Sequence, residues 1–272
     1  MKRIGLVIII ILLLLCSNGW AGDRVLYLNM DEASGNLTDL SGYGNNCTAN
    51  GGPDYSQTGA PNRGTAIGFD GSTDWFDCGT GSSLDLTENF TIMSWMYHLG
   101  TSLGGILSHD NGGTLATRSW RFDTAVSGNV LGRISDGITG QTTFSHVFTQ
   151  NVWTHYAFVL SSTQLILYVN GNGLTPVTRT VNPQSQPTWT IKLGKFGSTG
   201  YIQALIDDIK VYNYALSAKF IQDEYRQSRM AISRKHEPWK WLDLLKLSLN
   251  FRGDQLYEKD NRINYLRQHI VN

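Results

Sequence analysis

Apolar residues along this chain come in short runs separated by clusters of Gly, Asn, Asp and Ser, a spacing that predicts strands joined by tight turns. Strands are expected over 25–30, 66–69, 75–78, 90–97, 105–108, 120–123, 130–135, 155–160, 164–170, 189–193 and 205–212. Between the first two, 33–52 is dense in turn formers and reads as a loop. In 90–97 both alternating sets, Phe90, Ile92, Ser94, Met96 and Thr91, Met93, Trp95, Tyr97, are mostly apolar, so this strand should be buried on both faces. Asp70-Gly71-Ser72, Asn170-Gly171 and Asn172-Gly173 are turn sequences. Only 217–226 reads as helix, with Ser217 as its N-cap. So many strands without intervening helices predict an all-β fold, a two-sheet antiparallel jelly-roll sandwich with a short C-terminal helical extension.

Composition agrees with that fold and removes other classes. The 272 residues include 29 Gly and 30 aromatics (8 Trp, 12 Tyr, 10 Phe), and Lys+Arg equals Asp+Glu at 22 each. A balanced, sparsely charged chain is neither a disordered acidic segment nor a basic nucleic-acid binder. Charge is divided along the chain, however: 23–228 carries 17 acids and 11 bases, whereas 229–272 carries 5 acids and 9 bases. The chain is therefore divided into 1–21, 23–228 and a basic amphipathic extension 229–272.

The first segment has Lys2 and Arg3 before an apolar run, then Gly19 and Ala21. That is the pattern of a signal peptide cleaved after Ala21, although an uncleaved N-terminal membrane anchor fits the same residues. The protein is expected to be secreted or at the cell surface. Export leaves Cys47 and Cys78 in an oxidising compartment, and an even pair there implies a disulfide.

Four blocks of residues, in order, resemble the laminin-G-like, concanavalin A-like lectin jelly roll. Tyr27 to Gly35 is followed by Asp39-Leu40-Ser41-Gly42-Tyr43-Gly44-Asn45-Asn46. Ala66 to Gly71 leads to Ser83-Leu84-Asp85-Leu86, Phe90-Thr91-Ile92 and Trp95. Trp153 to Ala157 accompanies Leu167 to Gly171, and Ile206 to Asn213 ends in Ala215-Leu216-Ser217. The resemblance covers 25–226. Cys47 and Cys78 depart from it, standing where the family usually has a glycine and an aliphatic residue, and their joint departure supports their pairing.

The resemblance implies that the first and last strands pair, bringing Asp31 and Glu32 near Asp207 and Asp208. Carboxylates so placed repel unless a cation joins them. Calcium takes six to eight oxygen ligands, and the family often holds a structural calcium here; Asp39, Asn45 and Asp207, with Asp31 and Glu32, would be its ligands. The alternative is that Asp39 and Asn45 cap turns and Asp207 faces solvent.

A sugar surface needs an aromatic ring for stacking and planar polar groups for the hydroxyls. His109, Asp110, Arg118, Trp120 and Arg121 supply that mixture, although Trp120 could equally fill the interior. The carboxylate strand of the fold's glucanases is absent from the sequence, which argues against an enzyme. The function expected is an exported, non-catalytic carbohydrate-binding or adhesion module. Its partner would be a glycan or a surface protein, with 229–272 docking on a membrane surface or a protein and no role in nucleic-acid binding. A structural protein–protein interaction module is the alternative, ahead of a polysaccharide-active enzyme.

Overall fold

Alternation of side chains along each run lets two sheets share one core, and the computed structural model, which describes residues 23–234, shows that arrangement. The strands are β1 (Arg24–Leu28), β2 (Thr48–Asn50), β3 (Asp54–Thr58), β4 (Thr65–Asp70), β5 (Trp75–Asp77), β6 (Phe90–His98), β7 (Gly104–Asp110), β8 (Arg118–Ala125) and β9 (Asn129–Ser135). They continue with β10 (Gln141–Val147), β11 (Trp153–Leu160), β12 (Gln164–Val169), β13 (Asn172–Gly173), β14 (Val177–Thr178), β15 (Lys192–Leu193), β16 (Lys195–Phe196), β17 (Gly200–Tyr201) and β18 (Gln203–Tyr212). The helix α1 spans Ala218–Arg234. A nine-stranded sheet has the order β13-β12-β11-β6-β18-β4-β3, with β1 on β18 and β14 on β12. The second sheet has seven strands, ordered β10-β9-β8-β7-β15-β5-β2, and β16-β17 is a separate hairpin. One compact unit ends at Arg229 and a second comprises Met230–Asn272.

Phe158 lies between the sheets, with Phe90 of its own sheet at 5.3 Å and Phe122 and Phe144 of the other at 6.0 and 5.2 Å. Edge-on aromatic contacts of this kind add to the burial of apolar area that drives folding. As expected, β6 is buried on both faces. Phe90, Ile92 and Met96 enter the central core, while Met93 joins Ala157, Tyr168, Tyr212 and Ile221 of α1 in a second apolar layer. Ser217 Oγ accepts the Phe220 amide at 3.3 Å, which is the expected N-cap, and α1 runs on past the predicted end at 226. The first and last strands pair antiparallel, Leu28 opposite Ile209. Cys47 and Cys78 form a disulfide, clipping together the segments that lead into and out of β2 and β5.

Three local readings are corrected. Asn172-Gly173 is not a turn: Asn170 (φ 50°) and Gly171 (φ 78°) make the reversal, and the next two residues pair back on Tyr168 and Val169 as β13. The run 189–193 is strand only at Lys192–Leu193. The strands β2, β3, β10, β14, β16 and β17 were not expected, because β2 and β3 are short, polar edge segments, β10 alternates polar residues around the buried Phe144, and β14, β16 and β17 are two residues each. The expected signal at 1–21 and nearly all of 229–272 lie outside the described residues. Among the described residues no helix is long and apolar enough to cross a membrane.

Candidate functional site on the outer face of the seven-stranded sheet

The carboxylates expected to hold calcium fall into two separate groups. Asp39 lies beside β1, and each of its oxygens accepts two hydrogen bonds: Oδ1 from the amides of Tyr27 and Ser41 (2.9 Å each), Oδ2 from Ser41 Oγ (2.7 Å) and the Asn45 amide (2.9 Å). Burial opposes its ionisation, but the donors from Ser41, Tyr27 and Asn45 outweigh this and hold the carboxyl below its ordinary range. Asn45 spends its side-chain amide on Val25 O (2.7 Å) and Ser83 Oγ (2.9 Å). Both residues order the loop, the alternative named above.

Asp31 and Asp207 meet a different loop, the turn before β4. Asp31 Oδ1 accepts the Thr65 amide at 2.8 Å, and Asp207 Oδ2 accepts the Ala60 amide at 2.9 Å. Glu32 accepts the Thr38 amide at 2.9 Å. Asp207 is buried and not solvent-facing, and its other oxygen has no hydrogen-bond partner. The neighbouring Asp208 is paired from within the protein: Arg63 Nη1 is 2.5 Å from it and Lys210 Nζ 3.4 Å. Among the described residues no three His, Cys, Asp or Glu side chains converge to hold a metal ion. The five residues do not fit one calcium, because the lone pairs of Asp39 are taken and Asp39 and Asn45 belong to a group separate from Asp207.

The expected sugar-binding set is also divided, by the two faces of β7 and β8. His109 and Trp120 are paired across these strands and point into the core, where their rings lie 5.9 Å apart and Trp120 packs on Phe90. Trp120 is 0% exposed and cannot stack on a sugar. Burial lowers the His109 pKa, and its Nε2 lies 3.0 Å from Gln186 O. Asp110, Arg118 and Arg121 take the outer face but are themselves buried in an ion-pair chain. Asp110 joins Arg118 (3.1 Å) and Arg121 (3.4 Å), and Asp123 joins Arg121 and Arg133 (3.3 Å each).

That chain belongs to a wider arrangement that register alone makes visible. Thr48, Asp77, Lys192, Ser108, Arg121, Arg133 and Thr143 are successive cross-strand partners through β2, β5, β15, β7, β8, β9 and β10. One residue along, Ala49, Phe76, Leu193, Leu107, Phe122, Gly132 and Phe144 form the matching row on the core side. A two-residue period therefore puts a polar stripe outside and an apolar one inside across the full sheet, about 30 Å at normal strand spacing. Gly132 keeps the inner row level, because a Cβ there would lie 2.2 Å from the Phe144 ring.

The hairpin β16-β17 lies over the middle of the stripe. It can do so because Gly105 has no side chain: a Cβ would meet Lys195 O at 2.4 Å. Ser108 Oγ donates to Lys195 O at 2.8 Å, the Phe196 ring covers the Arg121 guanidinium at 3.8 Å, and Lys195 Nζ sits 4.6 Å from the Trp75 ring and 4.5 Å from that of Tyr201. Burial, with Arg118 and Arg133 close by, brings Arg121 down to about 10 against the pull of Asp123 and Asp110. Asp123, Arg133, Lys192 and Phe196 were missed in the sequence. Arg133 alternates with apolar neighbours in β9, a weak signal, whereas nothing local marks the hairpin residues as neighbours of Arg121.

Residues 70–222 match the family profile described as the concanavalin A-like lectin/glucanases superfamily, which is more than half of the 272-residue chain. The chain is a member of that family. Its fold is shared with solved binding domains of a mosquitocidal protein and of botulinum neurotoxins. The binding domain of Paraclostridial Mosquitocidal Protein 1 superposes with a TM-score of 0.61 at 14% identity, covering 75% of this laminin-G-like chain and 52% of the other. The binding domain of botulinum neurotoxin DC in complex with SialylT gives 0.60 at 14% identity over 76% and 52%. A structure of botulinum neurotoxin type C, titled for cell entry dependent upon interaction with two ganglioside molecules, gives 0.58 at 15% identity over 76% and 51%. This laminin-G-like chain thus spans about half the length of each. No curated protein sequence matches it.

Proposed function

We propose that this chain is an exported, non-catalytic binding module that takes a glycan on the outer face of its seven-stranded sheet. The observation that carries this is the register-aligned polar row, which the β16-β17 hairpin covers in its middle and which reaches solvent at Thr48 and Asp77 on one side and at Arg133 and Thr143 on the other. The nine-stranded sheet uses part of its outer face differently, packing α1 through Ile221 and through Tyr225 stacked on Trp95.

Two features support a non-catalytic reading. Glycoside hydrolysis needs a pair of accessible carboxyl groups to trade protons with the substrate. Of the carboxylates on this face, Asp110 and Asp123 are 0% exposed and each sits between two guanidinium groups, which leaves Asp77, half-buried, as the single carboxylate of the outer row. The related folds include binding domains, one solved in complex with SialylT, and a botulinum neurotoxin type C whose cell entry depends upon interaction with two ganglioside molecules. The disulfide supports export. The basic, Trp-bearing segment 229–272 is proposed to dock the module on a membrane surface or protein.

A protein partner is the second reading, favoured by the same botulinum neurotoxin DC binding domain, which is also solved in complex with rat synaptotagmin II. A glycan array probed with the full chain separates the two. Selective glycan binding is expected, and a folded protein that binds none would leave the protein-partner reading.

A further inference from the structure

We infer that the ligand of this face carries a carboxylate or sulfate group, held by the Arg133 guanidinium with the Thr143 hydroxyl beside it. The inference rests on the proposed glycan-binding reading and names the ligand class of that same face. The ion-pair chain runs Arg118, Asp110, Arg121, Asp123, Arg133, three arginines to two aspartates. Both ends are cationic, and the two ends differ. Arg118 is closed off: its side chain is 6% exposed and also donates to Gln141 Oε1 and to Gly113 O.

Arg133 is the open end. Its side chain is 20% exposed, and among the described residues its guanidinium donates only through Nε, to Asp123 at 3.3 Å. It stands directly opposite Arg121 across β8 and β9, and these two like charges share a single carboxylate, Asp123. The far side of Arg121 is covered by Phe196, and its buried Nη1 makes no well-formed hydrogen bond. Thr143, opposite Arg133 on β10, carries a buried hydroxyl with no partner. Within the ion-pair chain the surplus charge therefore emerges at Arg133, beside an unused hydroxyl. A guanidinium fork matches the paired oxygens of a carboxylate or sulfate. A neutral sugar would leave the charge uncompensated.

The test is calorimetric titration of the full chain with three hexasaccharides: a heparin fragment, an oligogalacturonate and neutral maltohexaose. One anionic sugar, or both, should bind at least about tenfold more tightly than the neutral one, and more weakly as salt rises; the two anionic arms separate sulfate from carboxylate. Arg133→Gln should lose about tenfold or more of that affinity, the worth of one strong charged contact. Arg133→Lys keeps the charge beside Asp123, so it guards against misfolding, and should still lose affinity because the fork is gone. Lys219→Gln, at a side chain 82% exposed on α1, should change nothing. Equal binding of maltohexaose with Arg133→Gln unaffected would overturn the anion inference and leave the glycan reading standing. An equal loss from Lys219→Gln would also overturn it, by showing diffuse charge attraction. A folded chain that binds none of these sugars, nor any glycan on the array, would remove both.

Discussion

Asp207 shows how far one side chain can depart from its sequence context. Burial, with the charges of Asp208 and Asp31 nearby, pushes its carboxyl up to about 8 against the Ala60 hydrogen bond. A carboxyl raised in this way stabilises the fold fully below the unfolded value of 3.8, and that contribution is lost as pH rises through about 8. The Asp207→Asn variant should keep an acceptor for the Ala60 amide and be more stable than the parent above pH 7. The slope it removes is on the order of 1 kcal/mol per pH unit between about 4 and 8, read from chemical denaturation across pH. Burial acts oppositely on histidine, lowering His98 to about 4 and His155 to about 3. Their contribution is present above 6.5 and is lost as pH falls towards those values, so the acid limb should persist in the variant. In the ion-pair chain burial raises Asp123, and the arginines on both sides oppose that rise. Asp123→Asn would leave Arg133 facing Arg121 without its carboxylate partner, and a loss of about 3–5 kcal/mol in denaturation is expected.

Among the elements, β7 and the β16-β17 hairpin depend on each other through a missing side chain. Gly105→Ala should force the hairpin backbone outward and cost about 1–3 kcal/mol, the usual range for overpacking; a melting temperature equal to the parent's would refute the close approach. The second element-scale device is the disulfide across a separation of 31 residues. Replacing both cysteines, Cys47→Ser with Cys78→Ser, should cost about 3 kcal/mol by freeing the unfolded chain. Its check is the denaturation midpoint with and without reductant: the parent should shift to the variant's value. Strands such as β6 and β11 were legible because their apolar content marks burial at short range. By contrast β3 and β10 were not, because edge strands satisfy their backbones with few apolar residues.

At the scale of the whole molecule, the two sheets decide which polar residues can meet. The calcium set Asp39, Asn45, Asp207, Asp31 and Glu32 is split between two loops, so a chelator is expected to leave the melting temperature unchanged; a clear drop with EDTA would restore an ion to one of them. Pairing of the first and last strands was legible through the family blocks, and with it the approach of Asp31 to Asp207. That Arg63 pairs with Asp208 was not, since it arrives there only through the turn before β4. Likewise the sequence offered His109, Asp110, Arg118, Trp120 and Arg121 as one surface, yet the pleat sends His109 and Trp120 into the core. The chain alone determined where the apolar strands and most turns lie, that the sheets share one apolar layer, and that the two cysteines pair, because periodicity, turn chemistry and composition act locally or on the chain as a whole. Tertiary structure alone decided the outer row from Thr48 to Thr143 and the open end at Arg133. Register aligns residues more than a hundred positions apart, Asp77 with Lys192, and no local pattern records which of them share a face.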